Sequence, residues 1–185
     1  MRRVEATISL AGVVLAAAGC AALGNHPRRH TTTPSKLAQA QASHEYPSPP
    51  PPAQQAAGGA PTAIAAVRSF ATAYINWSAG TVAGDMRALA ARSIGQARSA
   101  MQLAAGQTAG DYELQRGGIA NSGTVEAVAP LAGHGSQFVI VTREMTTAAN
   151  TTAYQGLQPA WHVTVATVAE PQPGHWVISG WQPEN

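Results

Sequence analysis

An α+β fold, with three helices first and a curved antiparallel sheet of about four strands after them, is what this sequence predicts for its ordered part. Two observations carry that expectation. Between residue 62 and about residue 105, apolar side chains recur at three- and four-residue steps, the period of helices that bury one face. From residue 124 onward the large side chains gather in runs rich in β-branched and aromatic residues, separated by turn residues and not by further helices. Strands joined by short turns pair antiparallel, because a parallel pair needs a long crossover between its members. The helices are then left to cover one face of the sheet.

Before that ordered part come two segments of different character. Arg2 and Arg3 are followed by a run without charge from Ala6 to Gly24, which contains Ala17, Ala18, Gly19 and Cys20. A short positive start, an apolar stretch and small residues before a cysteine resemble a bacterial lipoprotein signal, with residues 1–20 ending at the lipobox. That resemblance implies that Cys20 is lipidated and becomes the first residue of the mature chain. Each buried methylene of an acyl chain contributes about 0.8 kcal/mol, so a cysteine carrying more than one chain is held stably. The alternative is an uncleaved apolar anchor, close to the shortest run that spans a bilayer. Both alternatives put the folded domain outside the cytoplasm, attached to the membrane.

Residues 21–60 show neither period and hold a proline block at 47–52 followed by Gln54, Gln55, Gly58 and Gly59. They read as a linker, stiff where the prolines favour polyproline II and loose on either side. The domain proper is expected at 61–185. Its first helix spans 62–77, with Thr62 as N-cap and Ile64, Val67, Phe70 and Tyr74 on one side. A second follows Thr81 over 82–91, with Val82, Met86 and Leu89 aligned; a third begins after Ser93 and carries Ile94, Ala97, Met101 and Ala104. Gly80, Gly95 and Gly106 weaken or end these segments.

Residues 111–123 are rich in turn signals, including Gly117, Gly118, Asn121 and Gly123, with a short edge piece expected around Ile119. Four strands are then expected, over 124–131, 137–145, 160–168 and 175–181. Pro130 cannot donate to a ladder, which argues for an edge or a bulge near the end of the first. The second is apolar on both faces at its centre and polar from Thr142 to Thr147, as if it leaves the core for solvent. In the third, Trp161, Val163 and Val165 share one face, while His162, Thr164 and Ala166 share the other.

Charge and cysteine content exclude several functions. From Gly58 on, six arginines face seven acidic residues, so there is no basic stripe for a nucleic acid. A single cysteine rules out an internal disulfide and a cysteine metal cluster. His26 and His30 stand four apart, but Pro27 and the surrounding composition leave no helix to hold them on one face. Gly117 and Gly118 are not followed by the Gly-Lys-Ser/Thr of a phosphate loop. Neither metal nor cofactor is expected.

The order of elements over 61–182 resembles the nuclear transport factor 2-like (cystatin-like) cone. More specifically, Phe70-Ala-Thr-Ala-Tyr-Ile-Asn-Trp77, the Leu89 to Ser93 segment, and the Tyr154 to Val163 and Trp176 to Trp181 segments are similar to uncharacterised actinobacterial-type envelope proteins. They are more distantly similar to the extracytoplasmic domains of conjugation and type IV secretion components. The resemblance implies an assembly part without enzymatic activity, with an envelope partner or a homodimer through the sheet, and transfers no functional residue. It also admits an alternative, since some proteins with this cone are isomerases or dehydratases that use an Asp or His in the cavity as general base.

For that alternative the candidates are Asp85, Asp111, His134, His162 and His175. His134 and His175 fall beside turn glycines and read as solvent-facing. His162, mid-strand, would line the cone if its face points inward, with Tyr74 and Asp85 as the opposite wall and Trp161 beside it as a ligand contact; no acid or base stands at an obvious spacing to join His162. Trp161, Trp176 and Trp181 fall within the last twenty-five residues and read as core anchors, with any one exposed on the concave face marking a binding surface.

Overall fold

The structure is a computed structural model and describes residues 50–184. The leader, Cys20, the His26 and His30 pair and most of the segment read as a linker lie outside the described residues. The chain forms α1 (Ala63–Ile75), β1 (Trp77–Ser78), α2 (Val82–Ala91), α3 (Gly95–Ala109), α4 (Tyr112–Gly117), β2 (Ile119–Pro130), β3 (Gln137–Ala148), β4 (Ala160–Gln172) and β5 (His175–Glu184). The strands make one antiparallel sheet in the order β1-β2-β3-β4-β5, strongly curled into a half-barrel. The α+β class and the antiparallel pairing agree with the sequence. Among the described residues the expected three helices and about four strands are each one short, and the strands do not all follow the helices, since β1 falls between α1 and α2.

The extra helix is α4, in the stretch read as turns. Asp111 Oδ1 accepts from the Leu114 amide at 2.9 Å at its start, and Gly118 ends it in the left-handed region at φ 59°. These are ordinary start and stop signals, with only six residues between them, and are obscured by the glycine pair. The extra strand is β1. The first helix stops at Ile75, because Asn76 takes extended backbone and turns its carboxamide onto β2, donating to Gly123 O at 3.2 Å and accepting from Gly123 N at 3.0 Å. Trp77 and Ser78 then pair with Asn121 and Ala120. Gly123 is needed there, since a Cβ would come within 2.6 Å of the Arg143 carbonyl on the neighbouring strand.

The first helix is capped as expected, with Thr62 Oγ1 accepting from the Ala65 amide at 3.2 Å. It buries Val67, Phe70 and Ala71 in one cluster with Phe138 and Ile140 of β3, Ala166 and Val168 of β4, and Ile178 and Trp181 of β5, and buries Ile75 at its end. Fully burying each such large side chain contributes roughly 1.5–3 kcal/mol, so this cluster carries the domain. Helices α2 and α3 pack on each other through Met86, Ala90, Ala97 and Met101, small and flexible side chains that allow close approach. Gly106 lies inside α3 and does not end it.

Ile94, before α3, offers no side-chain cap; Gln54 Oε1 accepts from the Gly95 amide at 2.6 Å instead. Residues 54–60, the last part of the segment read as linker, are strapped to the domain. Gln55 O accepts from Arg98 at 2.5 Å, Ala57 N donates to Ala91 O, and Ala60 exchanges both backbone hydrogen bonds with Trp176.

Both edges of the sheet are closed by carboxamides. Asn76 does so at Gly123, and Gln96 accepts from Trp181 N at 2.7 Å while donating to Trp181 O at 3.3 Å. Each mimics a peptide group and blunts an edge that would otherwise template pairing. Pro130, where an edge or a bulge is expected, lies on the edge stretch of β2 that β1 does not cover, and the bulge lies earlier, at Glu126, where the register with β3 shifts. Among the described residues no helix is long and apolar enough to cross a membrane.

Candidate functional site

Successive side chains of a strand point to opposite faces, so Phe138, Ile140, Thr142, Glu144 and Thr146 of β3 all face the concave side. Strand β4 sends Val168, Ala166, Thr164 and His162 to the same side, with His162 opposite Thr142 in the register. Glu144 is therefore the diagonal neighbour of His162 across the strand pair, an acid the sequence reading did not place beside it. Of the polar run 142–147, Arg143 and Thr147 do meet solvent, but the residues on the concave face do not. Thr142 is buried and Thr146 faces a cavity, because the helices close over this end of the half-barrel.

That cavity measures about 350 Å³. Tyr74 from α1, Trp77 from β1, and Val82 and Met86 from α2 supply its apolar and aromatic wall, with Ala104 and Thr108 of α3 at one side. Asn121, Glu144, Thr146 and His162 supply the polar wall from the sheet.

Asn121 organises the polar wall. Only 8% exposed, it donates to Ile75 O at 2.8 Å and to Glu144 Oε2 at 2.7 Å, and accepts from Thr146 Oγ1 at 3.1 Å. Both amide hydrogens and the oxygen are thus engaged, which fixes the orientation of the group. Thr142 Oγ1 donates to the other Glu144 oxygen at 2.5 Å. The Glu144 carboxylate is held between two neutral donors. Its chain neighbour Arg143 points to the opposite face, its guanidinium 5.9 Å from the centre of the Trp161 ring.

Burial pushes the Tyr74 phenol above its ordinary value, and the nearby Glu144 charge adds to the rise. The Trp181 indole pulls the other way. Its ring meets Tyr74 edge-on at 5.1 Å between centroids and Phe70 at 4.8 Å, and its N–H is buried with no partner in hydrogen-bond geometry.

Of the residues singled out from sequence, the structure brings Tyr74 and His162 to this cavity. Asp85 does not line it; it stands in the first turn of α2, where a negative charge complements the helix dipole. Asp111 caps α4, His134 sits in the β2–β3 turn and His175 opens β5 at the surface. Trp181 is a core anchor and Trp176 packs against the core, but Trp161 is 62% exposed on the convex face. Adjacent strand residues alternate, so an inward His162 turns Trp161 outward. Among the described residues no three metal-ligating side chains cluster.

Glu144, Asn121 and Trp77 were missed. The signal for Glu144 was present as Thr142, Glu144 and Thr146 at steps of two, all on the face shared with His162. No protein-family model matches the chain, and a search of curated proteins finds no significant match.

Proposed function

We propose that this protein is a membrane-tethered, non-catalytic binding module of the cell envelope, a nuclear transport factor 2-like cone held outside the cytoplasm through lipidated Cys20. The observation that carries this reading is the cavity, where a carboxylate tied down by Asn121 and Thr142 stands beside an aromatic wall. A group fixed by two donors is suited to holding a ligand. Among the described residues no hydrogen bond joins Glu144 to His162 or Tyr74, so the cavity holds no preformed acid–base pair. Other envelope proteins, of the kind found in conjugation and type IV secretion machinery, are the expected partners. Crosslinking in intact cells followed by purification from membranes tests this: a specific envelope protein should be recovered, and recovery of the chain alone counts against it. The mature N-terminus read by mass spectrometry should begin at a lipidated Cys20, and an intact Met1 would replace the lipid with an apolar anchor.

One observation favours a second reading, a cone enzyme of the isomerase or dehydratase kind: Glu144 and His162 share the concave face. In that case His162→Ala would abolish turnover of a bound ligand and leave its binding intact. A ligand recovered chemically unchanged after prolonged incubation with the protein removes this second reading.

A further inference from the structure

Resting on the reading of the cone as a binding module, we infer that the cavity takes an organic cation, a quaternary or protonated amine carrying an apolar body. The argument starts from charge. Glu144 has its recorded hydrogen bonds from neutral donors alone, and Arg143, the adjacent cation in sequence, is turned through the sheet to the convex face. Among the described residues no lysine or arginine lines the cavity. The one basic side chain beside Glu144 among them is His162, its diagonal neighbour across the strand pair, and no hydrogen bond joins the two, so the half-enclosed carboxylate gains from a ligand cation what a neutral ligand cannot supply. Each oxygen takes one recorded bond and keeps capacity for another.

The opposite wall fits the rest of such a ligand. Tyr74 and Trp77 present aromatic rings, whose negative faces attract cations, while Val82 and Met86 offer apolar contact. Asn121 holds Glu144 in place, because its amide is also committed to Ile75 O and Thr146. Placement and sign are both set before a ligand arrives. The volume, about 350 Å³, is at the lower end of small-molecule sites, which suits a compact amine.

Three probes applied to the full-length chain by titration calorimetry test the inference: butyrylcholine, its uncharged carbon isostere 3,3-dimethylbutyl butanoate, and anionic octanesulfonate. Butyrylcholine should bind about tenfold or more tighter than the isostere, and octanesulfonate should bind weakest. Glu144→Gln should erase most of that margin, weakening butyrylcholine far more than the isostere. Trp77→Leu gives an independent reading should Glu144→Gln fail to fold: it should weaken the cation more than the isostere. Equal affinities for cation and isostere, or a margin untouched by the variant that folds, overturn the inference while leaving the cavity a binding site. Binding of none of the three at millimolar concentration overturns both.

Discussion

The two ends of the concave face are built from the same strands and do different work. At the base, β3 and β4 contribute Phe138, Ile140, Ala166 and Val168, which close on α1 and Trp181, with the buried hydroxyl side chain of Thr164 paired opposite Ile140 at the upper limit of this apolar end. Four residues along the same face, the same strands contribute Thr142, Glu144, Thr146 and His162, and the helices stand off far enough to leave a cavity. Period and register are continuous between the two ends, so neither backbone nor pairing makes the difference. Side-chain choice does. An aliphatic base fixes the curl of the sheet, and that rigidity lets the mouth keep a partly open, polar wall without collapsing onto it.

The most severe way to break this division is at Ile140, fully buried at the base. Ile140→Ala should cost about 2–5 kcal/mol, read as a lowered urea midpoint, because it removes buried surface and leaves a cavity behind. The division predicts that the variant, where still folded, binds ligands at the mouth as the parent does; a matched loss of affinity would mean the two ends are one unit. Asn121→Ala should cost less, about 1–3 kcal/mol, by stranding Ile75 O and one Glu144 oxygen without their donor. Its larger effect should be on binding, since Glu144 then loses its fixed position. Thr142 marks the boundary. Thr142→Val extends the aliphatic base by one residue and removes a single donor to Glu144, for an expected cost of about 0.5–1.5 kcal/mol. A stabilised Thr142→Val variant would show that the boundary is set for function at the expense of packing.

The base was legible in the sequence and the mouth was not, for a physical reason. Burial of aliphatic side chains writes a period that can be counted, so α1, its Thr62 cap and the alternation that puts His162 inward on β4 were all recoverable. Buried polar residues write the same letters as turns and surfaces. Asn121, beside Ser122 and Gly123, reads as a turn until one sees Asn76 fold back to pair with Gly123 and draw β2 into the sheet. Glu144 reads as solvated until α1 and α2 are placed over it. The convex exposure of Trp161 follows from the same alternation, yet the expectation that an indole must be buried overrode it. Short elements were lost likewise: α4 is a single capped turn and a half, and β1 exists only because two residues after a helix find a strand to join.

Tyr74 spans both ends, touching Trp181 at the base and the cavity at the mouth, and gives the smallest but most selective test. Burial, reinforced by Glu144, raises its folded pKa above the ordinary 10.0, so the folded state holds the phenolic proton where the unfolded chain has released it. The unfolded state then binds fewer protons, and stability falls as pH rises from about 10 toward the raised value; below pH 10 both states are protonated and the group contributes no slope. Tyr74→Phe keeps the ring against Trp181 and removes the titration. Urea midpoints of the two proteins should therefore differ little at pH 7 and converge or cross above pH 10, with the parent losing stability faster. Parallel losses for parent and variant through that window would mean that Tyr74 ionises as freely in the fold as in water, and that the mouth is wetter than its walls suggest.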